Sequence, residues 1–135
     1  MTRRQPRPPD ATATAADTPV GLTVHARPWA HGSVLALRGE LDLDSVAVLR
    51  RALDRALVLP GTVVVIDCGG LAFCDSTGVG ALLEAAAHAD GLGSRIELAR
   101  PRSLVRRVLE LTGATEAFPV HDTLPPWHPL PRWAR

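Results

Sequence analysis

Apolar Leu22, Val24 and Ala26 alternate with polar Thr23, His25 and Arg27. That period of two predicts a half-buried strand. Pro28 to Gly32 reads as a turn, and Val34 to Leu37 as a second strand ending at Arg38-Gly39. The pair predicts a hairpin with a loop of several residues. The period then changes. Val46, Leu49, Leu53 and Leu57 are spaced three, four and four apart, with Arg50, Arg51, Asp54 and Arg55 between them. This predicts an amphipathic helix, with Asp44 or Ser45 to cap it and Pro60-Gly61 to stop it. Val63 to Ile66 is unbroken and mostly β-branched, which predicts a central strand buried on both faces under helices. Gly69-Gly70 is read as the break in that strand. A second helix is predicted from about Ser76 to Ala89, with Val79, Leu82, Leu83 and Ala86 inward and Gly91 and Gly93 at its end. Ile96 and Leu98 mark a fourth strand. Pro101 is placed to open a third helix, with Leu104, Val105, Val108 and Leu109 inward and Gly113 at its end. Ala117 to His121 predicts a last short strand. The order is ββαβαβαβ, an α/β chain whose mixed β-sheet has helices packed on it.

Composition sets the boundaries. The chain has 135 residues, a one-domain length. Nine of its twelve prolines fall outside Val20 to Phe118. Residues 1–19 are therefore expected to be a disordered Pro/Ala-rich tail, residues 20–121 the folded domain, and residues 122–135 a Pro/Trp-rich tail that cannot form a regular helix. The net charge is only +1, so no basic field points to nucleic acid. Every one of the fifteen Lys-plus-Arg cations is Arg. Without lysine there is no Walker A phosphate loop and no Schiff base. No apolar run reaches the length of a membrane span, and Arg3-Arg4 is followed by Pro and polar residues rather than an export signal. Two cysteines, Cys68 and Cys74, are too few for a disulfide framework or a zinc site and fit a reducing cytoplasm. The five histidines are scattered without ligand spacing, so no metal and no cofactor is expected.

Candidate chemistry concentrates at Phe73-Cys74-Asp75-Ser76-Thr77-Gly78-Val79-Gly80. This segment joins a buried strand to a helix N-terminus, where free N–H groups and the helix dipole favour an anion. Gly78 and Gly80 each cost up to ~1 kcal/mol relative to Ala in a helix. Two such costs within three residues point to a close approach, either by a partner or within the fold. A capping Asp is equally at home there. Ser76 and Thr77 are both hydroxyls in this turn, and the pattern alone does not choose between them.

Three stretches together resemble the STAS domain of bacterial anti-sigma factor antagonists. They are Gly39-Glu40-Leu41-Asp42; Val64-Val65-Ile66-Asp67 leading to Asp75-Ser76-Thr77-Gly78-Val79-Gly80; and Pro101 through Leu104-Val105-Arg106-Arg107-Val108-Leu109-Glu110-Leu111-Thr112-Gly113. The resemblance spans about Val20 to His121. It implies a STAS-like mixed sheet and a non-enzymatic, cytoplasmic docking protein, monomer or weak dimer. It implies a partner, an anti-sigma factor with serine-kinase activity of the histidine-kinase-like ATPase type, and no membrane or nucleic-acid ligand. It also implies phosphorylation at Ser76, with Asp42, Asp75, Thr77, Gly78 and Gly80 around it. Thr77 stands where the family usually has Ser, and Pro125-Pro126 preclude a full-length version of the C-terminal helix that many members add.

Two rivals compete. STAS domains also serve as subunits of stress-signalling or lipid-transport ATPase complexes. Separately, Asp42-Leu43-Asp44-Ser45-Val46 matches the Asp-x-Asp-x-Val of haloacid-dehalogenase-like phosphatases, with Asp42 as nucleophile. That reading needs a strand directly before Asp42, where Gly39-Glu40 intervene, and a lysine that the chain lacks.

Overall fold

A computed structural model of the chain describes residues 21–30 and 32–125. The expected N-terminal tail and residues 126–135 of the expected C-terminal tail lie outside the described residues. Strand β1 (Leu22–Trp29) and strand β2 (Gly32–Leu41) form the antiparallel hairpin. Trp29 pairs with Gly32, so the loop is two residues rather than several. Ala30 takes a positive φ of 51°, as tight hairpin loops demand. Helix α1 (Val46–Ala56), strand β3 (Val63–Cys74), helix α2 (Ser76–Gly91), strand β4 (Arg95–Ala99), helix α3 (Ser103–Leu111), a 3-10 turn (Ala114–Glu116) and strand β5 (Val120–His121) follow.

The sheet runs β1-β2-β3-β4-β5, in chain order. β2 through β5 are parallel, joined by α1, α2 and α3. Right-handed crossovers that always step in one direction leave every helix on the same face. The main core shows it: Leu49 and Leu53 of α1, Val79 and Leu82 of α2, and Val105 and Leu109 of α3 join Leu35, Leu37, Val64, Ile66 and Leu98 of the sheet. Val65 is also fully buried, but on the other face, with Val34 and Ala99. Helices therefore cover β3 on one face only, not both. The second face is closed by Trp29, Val63 and Leu124.

Several elements differ from the sequence reading. Gly69-Gly70 does not break β3, which continues to Cys74. The glycines permit close approach instead. A Cβ on Gly70 would lie 2.7 Å from the Leu37 carbonyl oxygen, and one on Gly69 would lie 2.7 Å from Cζ of Arg100. Two register shifts against β2 accompany them, so β3 bulges on its way to the site. Pro101 precedes the helical residues of α3 rather than opening them, and Leu104 is exposed rather than inward. β5 is only the two residues Val120–His121 of the expected Ala117 to His121, because Ala117 caps the preceding 3-10 turn and Phe118 is buried in the core.

Beside the bulge, buried Asp67 accepts from Arg100 Nε and Nη2 at 3.0 Å each, and from the Gly69 amide at 2.9 Å. The hydrogen bonds to Asp67 push the Arg100 pKa further up. This forked pair ties the middle of β3 to the C-terminal end of β4, next to where the chain turns towards α3.

Candidate functional site

β2 and β3 end side by side, with Leu41 paired to Cys74. The two motifs that follow them are joined by a backbone bond, from the Asp75 amide to the Leu41 carbonyl at 3.1 Å. Thus Asp42 and Asp75, far apart in sequence, start adjoining loops.

Each loop is fixed by its own aspartate. Asp42 Oδ1 accepts from the Asp44 amide at 3.0 Å and from the Ser45 amide at 3.1 Å. Ser45 occupies the N-cap position of α1, but its side chain makes no capping bond. Its hydroxyl instead accepts from the Asp42 amide and donates to the Glu40 carbonyl. Asp44 is exposed and caps nothing. The loop is closed by Asp42 from outside the helix, a device that the expected Asp44 or Ser45 cap did not anticipate. β2 does run through Gly39-Glu40 to Leu41, so a strand directly precedes Asp42 after all. The phosphatase reading gains nothing from that, since the carboxylate already serves as the loop's acceptor and the chain still has no lysine.

Asp75 is the N-cap of α2. Its Oδ1 accepts from the Gly78 amide at 3.0 Å, and its carbonyl accepts from the Val79 amide. With the Asp75 amide on Leu41 and the Gly78 amide capped, the Ser76 and Thr77 amides remain as the open donors of the helix start. Ser76 is exposed and Thr77 only half so. The open hydroxyl thus sits on an open N–H pair.

The two site glycines part company. Gly78 is buried, and a Cβ there would lie 2.6 Å from Leu41 Cγ and 2.9 Å from Cys74 Sγ. It lets α2 start flush against the two strand ends. Gly80 has nothing within 4 Å of a Cβ, so it is a bare spot on the outer surface, one turn beyond Ser76. Of the predicted site residues, then, Asp42, Asp75, Ser76, Thr77 and Gly80 reach the surface and Gly78 does not. Two apolar residues at the same end were missed. Leu43 is 72% exposed in the Asp42 loop and Phe73 is 39% exposed just before Asp75. The signal was an apolar residue between two aspartates, Asp42-Leu43-Asp44, which no fold core would explain.

Cys74 lies under this surface and donates to the Asp75 carbonyl at 3.5 Å. Burial, then the Asp75 charge, pushes its thiol up to about 11. Burial first, then Asp67, pushes Cys68 up to about 12. Raised folded-state values favour the neutral thiol, so both groups oppose folding only as pH climbs past the unperturbed 9.0 towards those values. At about pH 8, iodoacetamide is expected to leave both thiols of the native protein unmodified and to label both after denaturation, read by intact mass. Labelling of native Cys74 would show that it is a reactive thiol and not a packing residue.

The family comparison fits this geometry. The family model described as "Mlab, STAS domain" matches residues 25–124. The chain belongs to the STAS domain family. Among its relatives is the anti-sigma F factor antagonist of Lysinibacillus sphaericus, 34% identical over 59% of this chain and 69% of that protein. The crystal structure of an anti-sigma factor antagonist from Mycobacterium paratuberculosis superposes with a TM-score of 0.66 at 23% identity, over 77% of this chain and 88% of that one. The Bacillus cell fate determinant SpoIIAA in its phosphorylated form gives 0.56 at 23% identity, over 74% and 90%. These structures share the STAS fold with this chain. No helix among the described residues is long and apolar enough to cross a membrane.

Proposed function

We propose that this STAS domain is an anti-sigma factor antagonist. It binds an anti-sigma factor that is also a serine kinase, of the histidine-kinase-like ATPase type, and so releases a sigma factor for transcription. Phosphorylation of Ser76 switches it off. It acts in the cytoplasm as a docking protein, monomer or weak dimer, without catalysis of its own. The observation that carries the reading is the exposed Ser76 residue at the start of α2, just after its Asp75 cap, with bare Gly80 one turn along and apolar Leu43 and Phe73 at the same end. The Lysinibacillus relative's role and the phosphorylated state of the Bacillus neighbour support it.

The chemistry follows from charge. Phosphate adds about −1.5 to −2 charge and three acceptor oxygens. The Ser76 and Thr77 amides and the helix dipole accommodate it in the free protein. In the complex an apolar contact must desolvate it, and the loss of water strengthens its repulsion by the chain's own Asp42 and Asp75. The penalty therefore falls on the bound state. Thr77 is half-buried and less open to a kinase, which favours Ser76.

A pull-down of native lysate with the full chain tests the class of partner. A histidine-kinase-like ATPase is the expected catch. Recovery of an ABC-type ATPase instead would move the protein to the lipid-transport complexes that share its fold.

A further inference from the structure

Among the described residues, β1 forms one outer edge of the sheet and the two-residue β5 forms the other. β1 runs for eight residues, and His25 to Pro28 are exposed in a row. One bond fixes which of its backbone groups face outward. The Glu40 amide donates to the Gly21 carbonyl at 2.8 Å, which makes Gly21 and Glu40 a hydrogen-bonded pair of the hairpin. Such pairs recur at every second residue, so Thr23, His25 and Arg27 direct their N–H and C=O groups to β2. Leu22, Val24 and Ala26 point theirs away from the sheet. Pro28 is the next outward position and has no N–H to offer.

A row of outward backbone groups is a template for another strand. A second copy of the same edge fits it in one register. Antiparallel pairing about a two-fold axis at Val24 sets Val24 against Val24, Leu22 against Ala26 and Thr23 against His25. The outward groups of Leu22, Val24 and Ala26 then all meet partners. Pairing about His25 would oppose two His25 rings and set Leu22 against donorless Pro28. Pairing about Thr23 would carry Ala26 past Gly21, off the described strand.

Charge favours the Val24 register too. Arg27 falls opposite Gly21 of the second copy, which has no side chain, and Gly21 pairs with exposed Glu40. Directly opposed residues share a face, so Arg27 reaches across the bare glycine towards that carboxylate. Within one chain, Gly21 and Arg27 stand towards opposite ends of β1, about 20 Å apart at ~3.4 Å per residue, so Arg27 cannot meet its own Glu40.

We propose that β1 is a dimerisation edge. Two copies join Leu22 to Ala26 antiparallel about Val24, with Arg27 of each copy paired to Glu40 of the other, and the sheet continues through both domains. One short strand per copy buries less than the ~1,200 Å² of stable interfaces, so the dimer is weak and concentration-dependent.

Sedimentation velocity of the full chain tests this. The dimer fraction is expected to rise over a hundredfold increase in concentration, and hydrogen exchange at the Leu22, Val24 and Ala26 amides to slow with it. Ala26→Pro removes an outward N–H that β2 does not use. It is expected to keep the native fold and weaken the dimer by at least about tenfold. Arg27→Glu is expected to weaken it several-fold, and Arg27→Glu with Glu40→Arg to restore it. A monomer at every concentration would overturn the proposal. Slow exchange of those amides in a chain that stays monomeric would overturn it in favour of cover from the chain itself. A dimer that Ala26→Pro leaves intact would overturn this edge, and a charge swap that restores nothing would overturn this register.

Discussion

Ser76→Asp is expected to weaken binding to the kinase-type anti-sigma partner by about a hundredfold, ~3 kcal/mol. Aspartate carries one charge where phosphoserine carries up to about two, so the phosphorylated protein should bind more weakly still. Ser76→Ala should bind within a few-fold of wild type and take up no phosphate. Thr77→Ala should still be labelled. Titration calorimetry and labelled ATP read these outcomes. Label landing on Thr77, or Ser76→Asp binding like wild type, would remove Ser76 from the switch without touching the family assignment. The prediction rests on position. Asp75 caps α2 through the Gly78 amide, which leaves the Ser76 hydroxyl outward beside open amides.

The paired glycine substitutions should separate folding from docking. Gly78→Val forces a branched side chain into Leu41 and Cys74, and overpacking of this kind costs about 1–3 kcal/mol or more. Its loss should appear in the denaturation midpoint. Gly80→Ala meets nothing and removes a helix glycine, so stability should hold or rise by up to ~1 kcal/mol. Gly80→Leu should keep the wild-type midpoint and lose partner affinity at least tenfold, about 1.4 kcal/mol. Gly80→Leu binding as well as wild type would take α2's outer surface out of the interface.

The order of elements was legible because each declares itself locally. The period of two in β1 and the three-four-four spacing in α1 follow from which side meets the sheet. The mixed sheet follows from that order. What escaped depended on a second segment. Gly69-Gly70 resembles a breaker until Leu37 and Arg100 are seen pressing against it. Leu104 fits the inward period of α3, yet it lies on the rim. Gly78 and Gly80 are alike in sequence, and only the strand ends of β2 and β3 tell them apart. Asp42 resembles a nucleophile or a partner contact, whereas its geometry first makes it the acceptor that closes the loop before α1. The site residues around Ser76 were found by resemblance more than by pattern, since two hydroxyls in one turn look the same until their exposure is known.

The sheet's order has one more consequence, for synthesis. Among the described residues, each strand after β1 pairs with the one made just before it. As the chain emerges, the hairpin can form first, and each later helix-and-strand unit then adds to an edge already in place. No strand has to wait for a distant partner, so the unpaired edge stays short-lived at each step. The final addition is the two-residue β5. The growing domain thus presents its sticky edge to the surroundings one strand at a time, and the shortest of the described strands comes last.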